Sequence, residues 1–280
     1  MTVAIRREEM PAWSRYIQEI CGIHLDESKG YLLETRLGGL LPEFNASSFS
    51  DLVQKAKTDA TARLRNKIIE AITTNETSFF RDTAPFDLLR HKLIPDLIDR
   101  RSKSGGRITL RIWSAACSTG QEAYSTAIVL KELLGDLSCY DIRILGTDIS
   151  NKVVAQASYG EYSRLELERG LSPEALARHF TRSGDRWKIR DEIRAMATFR
   201  TMNLLAPFSF PAPFDIIFCR NVAIYFTDPD KARLFQNLAK CLSKDGGLII
   251  GGTESISGFC PELEPRRYLH SVFYQWRQPS

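Results

Sequence analysis

Apolar residues recur at helical spacing through the first eighty or so positions. Trp13, Tyr16, Ile17 and Ile20 share one face of a segment that opens at Pro11. Residues 29–41 repeat the pattern with Leu32, Leu33, Leu37, Leu40 and Leu41. Gly38 and Gly39 weaken the end of that helix, and Pro42 is expected to stop it. A short helix follows with Ser50 read as its cap, then another over 62–73 carrying Leu64, Ile68, Ile69 and Ile72. No strand-like run precedes residue 107.

After that the period changes. Residues 108–113 read as a strand that ends in a loop of small residues, 114–120, with a helix over 121–134. Residues 141–146 read as the next strand, followed by a helix from Asn151. The runs 214–219 and 247–251 are continuously apolar, as strands buried on both faces of a parallel sheet are, with a helix over 230–242 between them. This alternation predicts a doubly wound, Rossmann-like α/β domain. One stretch interrupts it. Ser172 caps a helix with Pro173 at its first position, and residues 187–190 and 197–202 alternate like strands around a turn at 183–185. The expected organisation is an all-helical domain over 1–84 and an α/β domain over 85–280, with a small antiparallel β insert at about 159–202.

The chain has 280 residues with 38 Lys+Arg against 34 Asp+Glu, a net charge of +4. That balance excludes a strongly cationic nucleic-acid coat and a disordered polyelectrolyte. Cys21, Cys117, Cys139, Cys219, Cys241 and Cys260 form no C-x-x-C pair, and the four histidines show no metal-ligand spacing, so no metal is expected. Residues 1–18 lack the apolar core of a signal peptide, and no apolar run approaches membrane-spanning length. The expectation is a soluble, cytoplasmic protein that inserts into no membrane and binds no nucleic acid.

Candidate chemistry gathers at strand ends, where ligands bind in open α/β sheets. The loop 114–120 would let backbone N–H groups approach a ligand, but its single glycine makes it a poor dinucleotide signal. Asp148, ending the second strand, serves equally as a ribose ligand or as a helix cap. Asn75, Thr77 and Arg81 crowd polar groups around the apolar pair Phe79 and Phe80. Arg220 and Asn221 follow the third strand, with Tyr225 beside them, and Asn203 and Leu204 precede it.

Five ordered motifs carry a resemblance. They are Asn75-Glu-Thr-Ser-Phe-Phe-Arg81, Trp113-Ser-Ala-Ala-Cys-Ser-Thr-Gly-Gln-Glu122, Gly146-Thr-Asp148, Asn203-Leu204 and Cys219-Arg-Asn-Val-Ala-Ile-Tyr-Phe226. Together they resemble the CheR-type chemotaxis receptor glutamate methyltransferases over nearly the whole chain. The resemblance implies a methyltransferase that uses S-adenosylmethionine, releases S-adenosylhomocysteine and modifies glutamates on the cytoplasmic domains of chemoreceptors. It implies cofactor contacts from Asn75, Thr77, Arg81, Glu122, Asp148, Asn203, Leu204, Arg220 and Asn221. Arg81 and Tyr225 are expected to bound the methyl-transfer site. Alternative readings are a cofactor-binding scaffold without turnover and a methyltransferase of this fold acting on a small molecule or RNA.

The sequence departs from the family pattern at four places. Gln121 and Ala123 replace Glu and Pro, and Ala223 replaces a larger aliphatic residue. The second helix keeps only Arg36 of the arginines used for docking on acidic receptor helices, with Arg63, Arg65 and Lys67 as substitutes on a later helix. The turn of the insert, 182–186, is short, so weak or no binding of a receptor tethering peptide is expected.

Overall fold

The computed structural model describes residues 4–103 and 105–278; residues 1–3, which open the segment read above for a signal peptide, lie outside it. The helices of the first part are α1 (Met10–Cys21), α2 (Gly30–Leu37), α3 (Leu40–Glu43), α4 (Phe49–Thr58) and α5 (Arg63–Ile72). Their apolar faces close on a core around Trp13, Ile17, Leu33, Leu37, Phe49, Leu52 and Ile68, all at most 1% exposed. Trp13 donates its indole N–H to the Phe49 carbonyl at 3.1 Å, so the largest core side chain is also polar-satisfied.

Two expectations here are corrected. Pro42 does not stop a helix: α2 ends at Leu37, and Pro42 sits in the first turn of α3, where a missing N–H costs nothing. Ser50 is not the cap of α4. Ser48 accepts the Asp51 N–H at 3.1 Å, while the Ser50 N–H reaches the buried carboxylate of Glu9 at 2.7 Å.

The second part is built on α6 (Ala84–Leu88), a π-turn over Leu89–Leu93, α7 (Ile94–Ser102), β1 (Ile108–Ala115), α8 (Gln121–Leu134), β2 (Tyr140–Asp148) and α9 (Asn151–Tyr159). β3 (Glu161–Tyr162), α10 (Arg164–Glu168), α11 (Pro173–His179), β4 (Phe180–Ser183), β5 (Arg186–Ile189) and α12 (Asp191–Arg194) follow. β6 (Ala197–Thr201), β7 (Phe214–Cys219), α13 (Asp228–Lys240), β8 (Leu242–Ile250), β9 (Leu263–Tyr268) and β10 (Ser271–Trp276) complete it. The seven-stranded sheet has the order β6-β2-β1-β7-β8-β10-β9. Its first five strands are parallel, and β10 pairs antiparallel with β8 on one side and β9 on the other. The Rossmann-like doubly wound sheet and the all-helical N-terminal part stand as expected.

Alternation along the central strands divides the core into two layers. Ile112, Ile216 and Phe218 face one cluster with α6, α7 and α8; Trp113, Ile217 and Cys219 face the other with α13. Both layers are buried, which is why β7 reads as an apolar run interrupted only by Asp215. At the opposite end of β7 from its ligand-facing end, Asp215 is buried and held by both Arg101 guanidinium nitrogens and by the Arg111 N–H at 2.8 Å.

The small sheet is antiparallel with the order β3-β5-β4. The expected insert is corrected at its end. Residues 197–201 are not part of it: β6 pairs parallel with β2 at the edge of the main sheet. An edge strand alternates apolar and polar positions, as a hairpin strand does, so the pattern could not separate the two. The expected helix over 230–242 begins instead at Asp228 under a Thr227 cap and yields to β8 at Leu242. No helix among the described residues is long and apolar enough to cross a membrane.

Candidate functional site

The order of strands reverses between β1 and β7, and a cavity of about 210 Å³ opens at the carboxyl ends of β1, β2 and β7. Asn75, Thr77, Arg81, Glu122, Asp148, Asn203, Leu204, Arg220, Asn221 and Tyr225 all line it. Residues separated by as many as 150 positions in sequence are thus brought to one place. The helical part supplies a further wall from Cys21 at the end of α1 and from Ile23, His24 and Leu25 just after it.

The loop after β1 is the most contorted backbone in the cavity. Ala116, Ser118 and Gly120 all have positive φ, at 64°, 49° and 93°. The first two are non-glycine residues in a conformation that costs of order 1 kcal/mol or more each. The strain is held from three sides. The Ser118 N–H donates to Asp148 at 2.9 Å, the Ser118 hydroxyl donates to the Asn75 carbonyl at 2.8 Å, and the Tyr162 hydroxyl donates to the Thr119 carbonyl at 2.8 Å. Gln121 accepts the Thr119 hydroxyl at 2.8 Å, so this departure from the family pattern is absorbed inside the loop. Ala223 is buried in the core beside α13 rather than in the cavity wall.

Asp148 is 8% exposed and accepts N–H bonds from Ser118 and, at 3.1 Å, from Ser150. The cap of α9 is Ser150, which accepts the Val153 N–H at 3.5 Å, so the capping alternative for Asp148 is removed. Burial pushes its carboxyl above the ordinary aspartate range, although the N–H bonds of Ser150 and Ser118 pull the other way. Burial, then the charges of Asp148 and Glu122, push the Cys117 thiol well up, leaving it a neutral wall group.

Glu122, in the first turn of α8, accepts the Ser114 hydroxyl at 2.7 Å on one oxygen and Arg220 at 2.9 Å on the other. Arg220 is 7% exposed, and its second terminal nitrogen reaches the Arg81 carbonyl at 2.8 Å and Asp82 at 2.7 Å. Its Nε is buried without a partner. Arg220 therefore braces the segment that carries Arg81. Arg81 is half-buried, and its side chain donates to the Glu76 carbonyl at 2.9 Å. Asn203 is also committed: its amide nitrogen donates to the Ile20 carbonyl at 3.1 Å, and its oxygen accepts the Leu205 N–H at 2.9 Å. Leu204 is buried beside it. The Tyr225 carbonyl accepts the His24 N–H at 2.9 Å, so the segment after α1 fixes the turn that carries Tyr225. Thr77 and Asn221 lie half-buried in the cavity wall.

The sequence reading missed Ser114, Ser118, Asp82, Tyr162 and the segment 22–25. Ser114 and Ser118 stand inside a motif it had singled out. Tyr162 and the 22–25 segment act across breaks in sequence that no local pattern spans.

The residues fit a nucleoside-bearing cationic ligand. A buried carboxylate ends β2, a loop with left-handed residues forms one wall, carboxylate and guanidinium groups line one end, and an orphaned Arg220 nitrogen is still unpartnered. Comparison with known proteins agrees. Residues 75–266 match the family model of the CheR methyltransferase SAM binding domain, and residues 8–73 match that of the CheR methyltransferase all-alpha domain. The chain is 39% identical to chemotaxis protein methyltransferase 1 of Pseudomonas aeruginosa over 93% of its own length and 94% of that protein. It is 37% identical to the chemotaxis protein methyltransferase of Vibrio parahaemolyticus over 98% of both.

Proposed function

The chain belongs to the CheR methyltransferase family and is an S-adenosylmethionine-dependent chemotaxis protein methyltransferase, and on that premise we propose that it methylates glutamate side chains on the cytoplasmic helices of chemoreceptors. The observation that carries this reading is the convergence of ten separately read residues on one cavity at the ends of β1, β2 and β7. When bound, S-adenosylmethionine supplies a methyl group on a sulfonium that leaves as a neutral thioether. Asp148 would accept the ribose hydroxyls, and Glu122 would face the ammonium of the amino-acid end. Leu204 would give apolar contact at the adenine end.

A glutamate carboxylate, with a pKa of about 4.3 in the free side chain, is already ionised at neutral pH and needs no general base. The task left to the protein is alignment and partial desolvation of that carboxylate. Arg81 and Tyr225 would orient the incoming carboxylate, Arg81 on a segment braced by Arg220 and Tyr225 on a turn held by His24. Incubation of receptor cytoplasmic fragments with methyl-labelled S-adenosylmethionine tests the proposal. Alkali-labile label on the receptor is expected, and cofactor binding without transfer to any receptor fragment would contradict it.

A further inference from the structure

Glu254 belongs to no motif named above, yet its carboxylate joins two strand ends of the site. One oxygen, Oε2, accepts the N–H of Asn221 at 2.8 Å and the N–H of Gly251 at 2.7 Å. Asn221 follows β7, and Gly251 follows β8. The two strands pair up to Cys219 and Ile250, so the carboxylate takes over where their ladder stops.

This arrangement is costly in two ways. The other oxygen of Glu254, Oε1, is buried and has no partner, and an unpaired buried acceptor is costly, more so when charged. Asn221 is held at a φ of 58°, outside the ordinary range for a non-glycine residue. Gly251 is confined as well: a methyl added there would lie 2.5 Å from Glu254 Oε2 and 3.1 Å from the Asn221 nitrogen. The neighbouring Arg220 also has its buried, unpartnered Nε. Such costs persist where surrounding structure enforces a geometry that function uses.

The turn fixed in this way runs from Arg220 to Phe226 and presents Asn221 and Tyr225 to the cavity. We infer that Glu254 is a positioning residue for methyl transfer: it sets the Arg220–Phe226 turn against the cavity by holding the ends of β7 and β8 at a fixed separation. The inference rests on the functional reading above, but its first readout does not. Three variants separate reach from charge. Glu254→Gln keeps an oxygen for both N–H groups and removes the charge. Glu254→Asp keeps the charge on a side chain one methylene too short. Glu254→Ala removes both.

S-adenosylhomocysteine affinity, measured by calorimetry on the full chain, is expected within about threefold of wild type for the Gln variant and at least about tenfold weaker for Asp and Ala. The kcat on a receptor fragment, taken at saturating S-adenosylmethionine, should follow the same order. Saturating ligand draws any partly unfolded fraction back to the native state, so a loss of kcat there reports position rather than stability. Wild-type affinity and kcat in the Ala variant would overturn the inference. So would a Gln variant as impaired as Ala, which would make charge the essential feature. If the affinities follow the expected order but no receptor fragment accepts methyl, the clamp stands and the receptor reading falls.

Discussion

Asp148 shows how one residue bears opposing demands. Its carboxylate accepts two backbone N–H groups, yet burial holds its proton more tightly than in a free aspartate. The folded pKa is raised, so between the ordinary value and the raised one the native protein binds more protons than the unfolded chain. Its contribution to stability is fully present below the unfolded pKa and is lost as pH rises through the folded one. Urea unfolding of the ligand-free wild type and of Asp148→Asn, from about pH 4 to pH 7, should therefore show the wild type losing ground to the variant as pH rises. Parallel curves would contradict this. The same variant should bind S-adenosylhomocysteine at least about tenfold more weakly, because a carboxylate accepts from two ribose hydroxyls more strongly than an amide does. Arg81 acts by position. Its replacement by Ala is expected to cut turnover at least about tenfold while the fold is kept, and an unchanged rate in a folded variant would remove it from the mechanism.

At the scale of elements, α8 links the site to the insert. It opens on Glu122 in the cavity and carries Glu132 three turns later, where Arg90 donates at 2.6 Å and the buried ring of His179, at the end of α11, lies at 3.0 Å. Burial works against the charge of Glu132, but the hydrogen bonds from Arg90 and His179 outweigh it and lower the pKa. That stabilisation is present above the unfolded pKa and is lost as pH falls through the folded value. Glu132→Gln should therefore cost about 1 kcal/mol near pH 7, discounted for partial exposure, and the cost should vanish at acid pH in urea melts. A cost that persists unchanged at acid pH would show that the charge of Glu132 is not what binds the insert.

Elements buried on both faces were the most legible: β7 and the second half of β8 leave nearly continuous apolar runs that little else produces. β6 was misplaced because edge exposure gives it the alternation of a hairpin strand. Most site residues were legible from their place at strand ends, but Glu122 only through the family pattern, since its pairing with Arg220 spans 98 positions that local periodicity does not encode. Glu254 was invisible for the same reason: its partner Asn221 lies 33 positions away.

For the whole molecule, the net charge of +4 bears on how a receptor docks. Arg81 and Arg220 belong to the cavity. Arg36 is engaged as well, donating to the Ile72 carbonyl at the end of α5 at 2.5 Å and to Thr74 at 3.5 Å. Arg63 and Lys67 share Glu43, each at 3.6 Å. Of the three substitutes only Arg65 is exposed without an ion-pair partner among the described residues, so receptor-fragment affinity should fall by less than about fivefold between low and high salt, and a steep loss would contradict that. The β4–β5 connection is a tight turn in which Ser183 pairs directly with Arg186, and a receptor tethering peptide is expected to give weak or no heat in calorimetry. The central claim is that one cavity holds S-adenosylmethionine and presents its methyl group to a receptor glutamate. It is tested most directly by mass-spectrometric mapping of receptor cytoplasmic fragments after incubation with the protein and S-adenosylmethionine. The prediction is one added methyl on glutamate side chains, removed by mild alkali and formed at least about tenfold more slowly with Arg81→Ala; methylation confined to other residue types, or none on any receptor fragment, would contradict it.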